Sequence, residues 1–338
     1  MPQLLVVGGR QRRGAISRQE WQAYDQARVV LVDPESGDVE LFLTYETPRQ
    51  FCAPGDASQV FKAGYLDGNR LWLVTLTDVS VWDCQARSMV EHWSHPWFND
   101  LHHVRPWGND HWVVANTGLD QVLKLDMSGN VVEQWGVGEQ ATWDRFEERT
   151  DYRQVATTKP HETHPNYLIG VGDDLWVTRF HPQDAICLTR QCAPILLKQG
   201  GPHDGVEVED AIGFTTVNGY VGLCPQAEFL LKDGTRGAIR WTALLPPGSS
   251  QESLGWCRGL YGISSQEAWV GFSRLRPTRF RSHVSWLKHG FKTVGLHGTR
   301  PTRIAHYDLV SGACLKEIDL ESVGLSAIFG IYPWNAAG

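Results

Sequence analysis

The sequence predicts an all-β fold, a six-bladed β-propeller whose first blade is closed by the N- and C-terminal strands. Three observations predict it: an aromatic, strand-like segment recurs five times along the chain, each copy sits in the same order among turn signals, and the two ends carry complementary parts of a sixth unit. The recurring segments are RLWLVTL (70–76), HWVVANT (111–117), LWVTRFH (175–181), IGFTTVN (212–218) and AWVGFSR (268–274).

Each aromatic strand is preceded by another apolar segment: VFKAGYL, LHHVRPW, HPNYLIGV, HDGVEVE or CRGLYGI. Turns such as LDGN and VGDD join the two, which is a hairpin signature. A third strand ending in Asp, a Gly turn and a fourth strand complete the unit, as in VVLVDPESGDVELF, VLKLDMSGNVVEQW and IAHYDLVSGACLKEI. The repeats place blades two to six near 56–94, 98–136, 162–200, 202–245 and 255–320. LLVVGG, RVVLVD and VELFL supply three strands without an inner one, and SAIFGIYPW is an inner strand without partners. Blade one therefore combines 1–45 with 324–334, giving one propeller domain over 1–338 with no long open edge.

Composition agrees with a folded, turn-rich chain: 42% hydrophobic, 11% aromatic and 20% charged residues, with Gly 34, Pro 17 and Trp 15. A net charge of -7 gives the whole chain no electrostatic claim on nucleic acid or an anionic membrane. No apolar run approaches a membrane span or a signal-peptide core, so a soluble cytoplasmic protein is expected. The seven cysteines (Cys52, Cys84, Cys187, Cys192, Cys224, Cys257 and Cys314) include no CxxC pair and read as free thiols.

Antiparallel order puts the loops joining strands two and three on the same face as those joining one blade to the next. The long insertions 8–26, 44–59, 136–162 and 275–302 all fall there, over the mouth of the central channel where the inner strands begin. Long loops gathered on one face of a rigid scaffold mark a binding face.

Polar residues cluster at those inner-strand starts: Asp100, His102 and His103, then His161, His164 and Asn166, then His203 and Asp204, then Arg258. Ten residues before Trp112, Trp176 and Phe214 stand His102, Asn166 and Asp204, so the three occupy equivalent positions and are expected to face one another. Lys62 and Gly259 hold the same position in two other blades. A mixed nitrogen and oxygen set of this kind can hold a divalent metal ion, with water, Asp100, His164 or His203 completing the shell. Asp204, His103 and His164 are the candidate proton carriers. Arg258, Arg274, Arg276, Arg279, His161 and His203 are the candidate substrate contacts, because Arg forks suit carboxylate or phosphate. Arg281, Lys288, Arg300 and Arg303 extend that basic segment, and Arg10, Arg12 and Arg13 lie on the same face. Trp97, Trp107, Trp143, Trp256 and Trp286 fall outside the repeated aromatic position and can stack on a sugar.

LWVTRF preceded by HPNYLIGVGDD, and GFTTV preceded by PHDGVEVED, resemble the NG and PDG blade motifs of the gluconolactonase and regucalcin family. That resemblance implies six blades, a divalent ion held by Asn166 and Asp204, and proton transfer by Asp204 in lactone hydrolysis. Where the family has a further Asn ligand, this chain has Asp100 and His102. More of the chain, from LHHV through HPN, PHDG and WCRG to VGFSRLRPTRF, resembles a group of bacterial propeller proteins of unassigned function. The expectation is a metal-dependent enzyme, of lactone or ester hydrolase or sugar-acid isomerase type, acting on a small anionic or carbohydrate-like molecule. The alternative is a non-catalytic propeller that docks a protein partner or a ligand.

Overall fold

The computed structural model describes residues 1–14, 20–231, 237–247, 254–274 and 300–335. In the first blade β1 (Gln3–Gln11), β2 (Tyr24–Val32) and β3 (Val39–Tyr45) form an antiparallel meander, and β24 (Ala327–Trp334) pairs along the inner side of β1. The second blade is β4 (Gly64–Asp67), β5 (Arg70–Val74), β6 (Val79–Asp83) and β7 (Ser88–Trp93). The third is β8 (Leu101–Trp107), β9 (His111–Asn116), β10 (Gln121–Asp126) and β11 (Val131–Gly136). The fourth is β12 (Pro165–Val171), β13 (Asp174–Arg179), β14 (Asp184–Cys187) and the short β15 (Ile195–Leu196). The fifth is β16 (Pro202–Val208), β17 (Ala211–Thr216), β18 (Tyr220–Pro225) and β19 (Arg240–Ala243), and the sixth is β20 (Trp256–Gly262), β21 (Glu267–Ser273), β22 (Arg303–Asp308) and β23 (Cys314–Asp319). The fold is thus a six-bladed β-propeller, closed as the terminal fragments imply.

The core lies between the blades, because each twisted sheet buries both of its faces against neighbours. One apolar cluster fills each of the six junctions: Leu5, Phe61 and Leu71 between blades one and two; Val74, Phe98 and Val114 between two and three; Val113, Leu168 and Val177 between three and four. Ile169, Ile212 and Phe214 join four to five, Val208, Leu260 and Phe272 join five to six, and Leu4, Trp269 and Ile304 join six back to one. The repeated aromatic position explains itself here: Trp176, Phe214 and Trp269 are fully buried, and Trp72 stacks on Trp112 of the next blade at 4.5 Å between ring centroids. None of the seven cysteines forms a disulfide, as their spacing predicts.

At the start of every inner strand the chain spends one residue more than the strand it pairs with. In β8, Leu101 pairs with Asn116 and His103 with Ala115, leaving His102 outside the ladder. In β24, Phe329 is left out in the same way. Asn166 and Tyr167 together oppose the single residue between the paired Arg179 and Val177, and Asp204 with Gly205 and Arg258 with Gly259 repeat the arrangement in β16 and β20. Just ahead of β4, the Lys62 amide donates to the Val74 carbonyl while Gly64 pairs with Leu73, so Ala63 is the extra residue there. Such bulges re-aim side chains away from the regular ladder. Here six of them, one per blade, turn toward the channel mouth.

Tyr332 of β24 ties the closing strand to blade two, its hydroxyl accepting the buried Gly64 amide at 2.6 Å. Tyr332→Phe leaves that amide without an acceptor, so a loss of about 1–3 kcal/mol is expected in urea unfolding at constant m-value. An unchanged midpoint would show that the contact does not help close the ring.

Candidate functional site

The bulge residues converge on one pocket, lined by His102, Asn166, Asp204, Arg258 and Phe329, with Ala63, Tyr167 and His203 beside them. It is tight, with room for about one water molecule. Every blade contributes, and the contributions are linked in a closed circuit. Lys62 Nζ lies 3.2 Å from His102 Nε2, and His102 Nδ1 lies 2.6 Å from Asn166 Oδ1. Asn166 Nδ2 donates to the Pro202 carbonyl at 2.8 Å. From the same strand His203 meets the Arg258 guanidinium through Nε2. Arg258 then lies over the Phe329 ring at 4.5 Å, and Lys62 lies over the same ring at 4.6 Å, returning to the start.

The circuit fixes protonation. With its amide nitrogen committed to Pro202, Asn166 presents oxygen to His102, so Nδ1 of that ring carries the proton and Nε2 accepts from the Lys62 ammonium. Burial, and then the Lys62 charge, push the His102 pKa down to about 4. His203 is held well below the usual histidine range by burial and by Arg258, so it too is neutral. Burial would raise Asp100, but the Lys62 ammonium, 3.4 Å from its Oδ1, outweighs it and holds the carboxyl well below its ordinary range.

Asp204 behaves differently. It sits in the left-handed region at φ 59°, a conformation Asp tolerates better than most residues, and Oδ2 accepts from Thr215 Oγ1 and from the Gly259 amide at 3.0 Å. Gly259, itself at φ 90°, brings that amide close. Both bonds fall on Oδ2, leaving Oδ1 for the pocket. Burial dominates, and the pKa is pushed up to about 6. A carboxyl poised there can take or give a proton near neutral pH.

His102, Asn166 and Asp204 therefore meet, as their equivalent positions predict, together with His203 and Arg258. Their arrangement is not that of a metal centre. An ammonium occupies the open nitrogen of His102, Asn166 is spent on His102 and Pro202, and two cations flank the pocket. Among the described residues no group of three or more His, Cys, Asp or Glu is placed to hold a metal ion. The donors do not fit the divalent ion that the spacing and the resemblance imply.

The other expected residues divide. His103 points away from proton chemistry: Nδ1 accepts the Leu168 amide at 3.1 Å, Nε2 reaches the Gly64 carbonyl at 3.0 Å, and the ring stacks on Tyr167 at 3.7 Å. Both nitrogens are used in bracing three inner strands. His164, at φ 57°, packs edge-on against His102 at 4.7 Å, and its Nδ1 lies 3.0 Å from Nδ1 of His161. These two form a wall behind the pocket, held by Asp120, whose carboxylate accepts the amides of Glu162, Thr163 and His164. Arg274 is drawn off to Glu321, and Arg300 and Arg303 to Glu317. Arg10 pairs with Asp25, and Arg12 bonds the Gln22 and Tyr24 carbonyls. Arg276, Arg279, Arg281, Lys288 and Trp286 lie outside the described residues. Trp97 packs on Trp143 at 4.7 Å, Trp107 packs into the core between blades three and four, and Trp256 is exposed.

Lys62 and Phe329 were not among the expected contacts. Lys62 had a signal, since it stands ten residues before Trp72 as His102 does before Trp112. Phe329 had none, because blade one takes its inner strand from the other end of the chain and offers no aromatic strand to align.

No protein-family model and no curated protein sequence matches the chain. Among solved structures it is similar to a protein of unknown function from Bacteroides caccae, at a TM-score of 0.59 and 10% identity over 98% of both chains. It is also similar to a chain of the nidogen/laminin complex, at 0.54 and 7% over 97% of both. A proposed 6-phosphogluconolactonase from Bacteroides uniformis aligns at 0.48 and 10%, over 98% of this chain and 82% of that one. At such identities the first two likenesses establish the propeller fold.

A raised carboxyl pKa has a defined sign in stability. Below about pH 4 Asp204 is protonated in both folded and unfolded chains; as pH rises from 4 to 6 only the unfolded chain ionises, so stability falls, and above 6 the full cost is present. Asp204→Asn keeps an acceptor for Thr215 and Gly259 and carries no charge. It is expected to match the native protein at pH 4 and to exceed it at pH 8 by on the order of 3 kcal/mol, read from denaturant unfolding at both values. A variant less stable at both would show that Asp204 is not held against its desolvation.

Proposed function

We propose that the channel mouth binds a small anionic metabolite through a carboxylate or similar oxyanion and that Asp204 exchanges a proton with it. The observation that supports this reading is the pairing of Lys62 and Arg258 over one Phe329 ring, beside a carboxyl whose pKa is about 6. Charge-assisted bonds to the two cations hold the anion, and the Phe329 ring against which both lie keeps those cations in place. His102 and His203 are neutral and each accepts from a cation, so they position Lys62 and Arg258 and are not the groups that exchange a proton with the ligand. Asp204 acts as general base when ionised and as general acid once protonated, which suits ring opening of a lactone or isomerisation of a sugar acid. The pocket, with room for about one water molecule, takes a single oxygen of such a group, and the remainder lies outside the mouth.

Gluconate, glucono-δ-lactone, short 2-hydroxy acids and inorganic phosphate are suitable probes by calorimetric titration. Lys62→Met and Arg258→Met are each expected to weaken carboxylate binding ten- to a hundred-fold, as for loss of a hydrogen bond to a charged group. Asp204→Asn is expected to retain binding and to abolish any turnover whose pH profile shows an inflection near 6. Equal affinities in the native protein and both cation variants would overturn the reading. If no carboxylate or phosphate binds, a non-catalytic propeller that docks a protein partner gains the support instead.

A further inference from the structure

Three residues along β8 from His102 stands a third cation, Arg105. Arg105 extends from β8 toward blade four, where Nη1 reaches the Leu168 carbonyl at 3.4 Å, a long bond and the one hydrogen bond the side chain makes among the described residues. Its Nε is buried and has no partner. Gly170 makes room for the group: a Cβ there would stand 2.8 Å from Nη2. The surrounding polar groups are Tyr65, Tyr167 and the exposed Glu207, of which Glu207 is the one carboxylate. No described group bonds either tyrosine hydroxyl. Burial lowers the Arg105 pKa against the pull of these neighbours. Unsatisfied buried guanidinium nitrogens are rare, since each costs a desolvation penalty.

From this juxtaposition we infer that Arg105, with the Tyr65 and Tyr167 hydroxyls, forms an anion site for a single small inorganic anion of halide size. One guanidinium supplies one positive charge, and Glu207 nearby disfavours a dianion such as phosphate. The site is separate from the mouth, where Lys62 and Arg258 lie, and it does not depend on the function proposed for those residues.

Thermal unfolding of the full chain in sodium bromide against sodium isethionate, at equal ionic strength, tests it. Specific binding raises Tm by about 2–5 °C at saturating bromide. Arg105→Met, which keeps the apolar stem and removes the uncompensated charge, is expected to unfold at higher temperature than the native protein in isethionate and to lose the bromide response. Lys62→Met keeps the response, because it alters only the mouth. Bromide anomalous diffraction from the native protein then places the ion within hydrogen-bond distance of the Arg105 guanidinium. An unchanged bromide response in Arg105→Met, no response in the native protein, or an anomalous peak only beside Lys62 and Arg258 would overturn the inference.

Discussion

The structure around the channel depends on a mismatch of one residue. Each inner strand carries an extra residue at its start, and an ordinary antiparallel ladder cannot absorb it, so the backbone bulges and the surplus side chain leaves the blade. A regular strand would send successive side chains alternately into the two flanking blade junctions, where six apolar clusters already fill the space. The bulge supplies a third direction. What emerges there is free to differ from blade to blade without disturbing the packing behind it, which is why Ala63, His102, Asn166, Asp204, Arg258 and Phe329 share a place and almost nothing else.

Gathering polar groups at one mouth creates an electrostatic problem that the protein solves by sharing. Lys62 faces the carboxylate of Asp100, and the imidazoles of His102 and His203 stay neutral because burial and then a neighbouring cation disfavour their charged form. Phe329 completes the arrangement as a ring placed against both charges. Asp204 is then the member whose protonation state is least settled by its neighbours: its two donors are a hydroxyl and an amide, which temper but do not cancel the cost of burial. Poise of this kind trades stability for a group that can change state.

Most of the architecture is written in the sequence, because period and turn chemistry act locally. The Asp-to-Gly turns, the aromatic second strands and the split blade each show in short stretches, and the pairing of β24 with β1 follows from strand arithmetic. Counting back ten residues from an aromatic also finds His102, Asn166 and Asp204. What counting cannot supply is who bonds whom. A His, an Asn and an Asp at equivalent positions suggest metal ligands; the ammonium of Lys62 and the carbonyl of Pro202, which take those donors, come from other blades and become visible only in three dimensions. His103 illustrates the same limit, since its neighbour in sequence lines the pocket while its own two nitrogens serve backbone groups on either side. The arginines of the sixth blade form a ligand-facing cluster on sequence alone, yet Arg274 and Arg303 are claimed by Glu321 and Glu317, partners more than ten residues away with no motif to announce them.

Closure by the last described strand has a temporal side. During synthesis every other blade has left the ribosome before β24 does, so until then blade one lacks its inner strand and the mouth lacks Phe329. Lys62 and Arg258 are encoded far earlier, and in the unfinished chain they have no ring between them. The growing polypeptide can thus assemble most of its walls, but the mouth is complete only once β24 has been made.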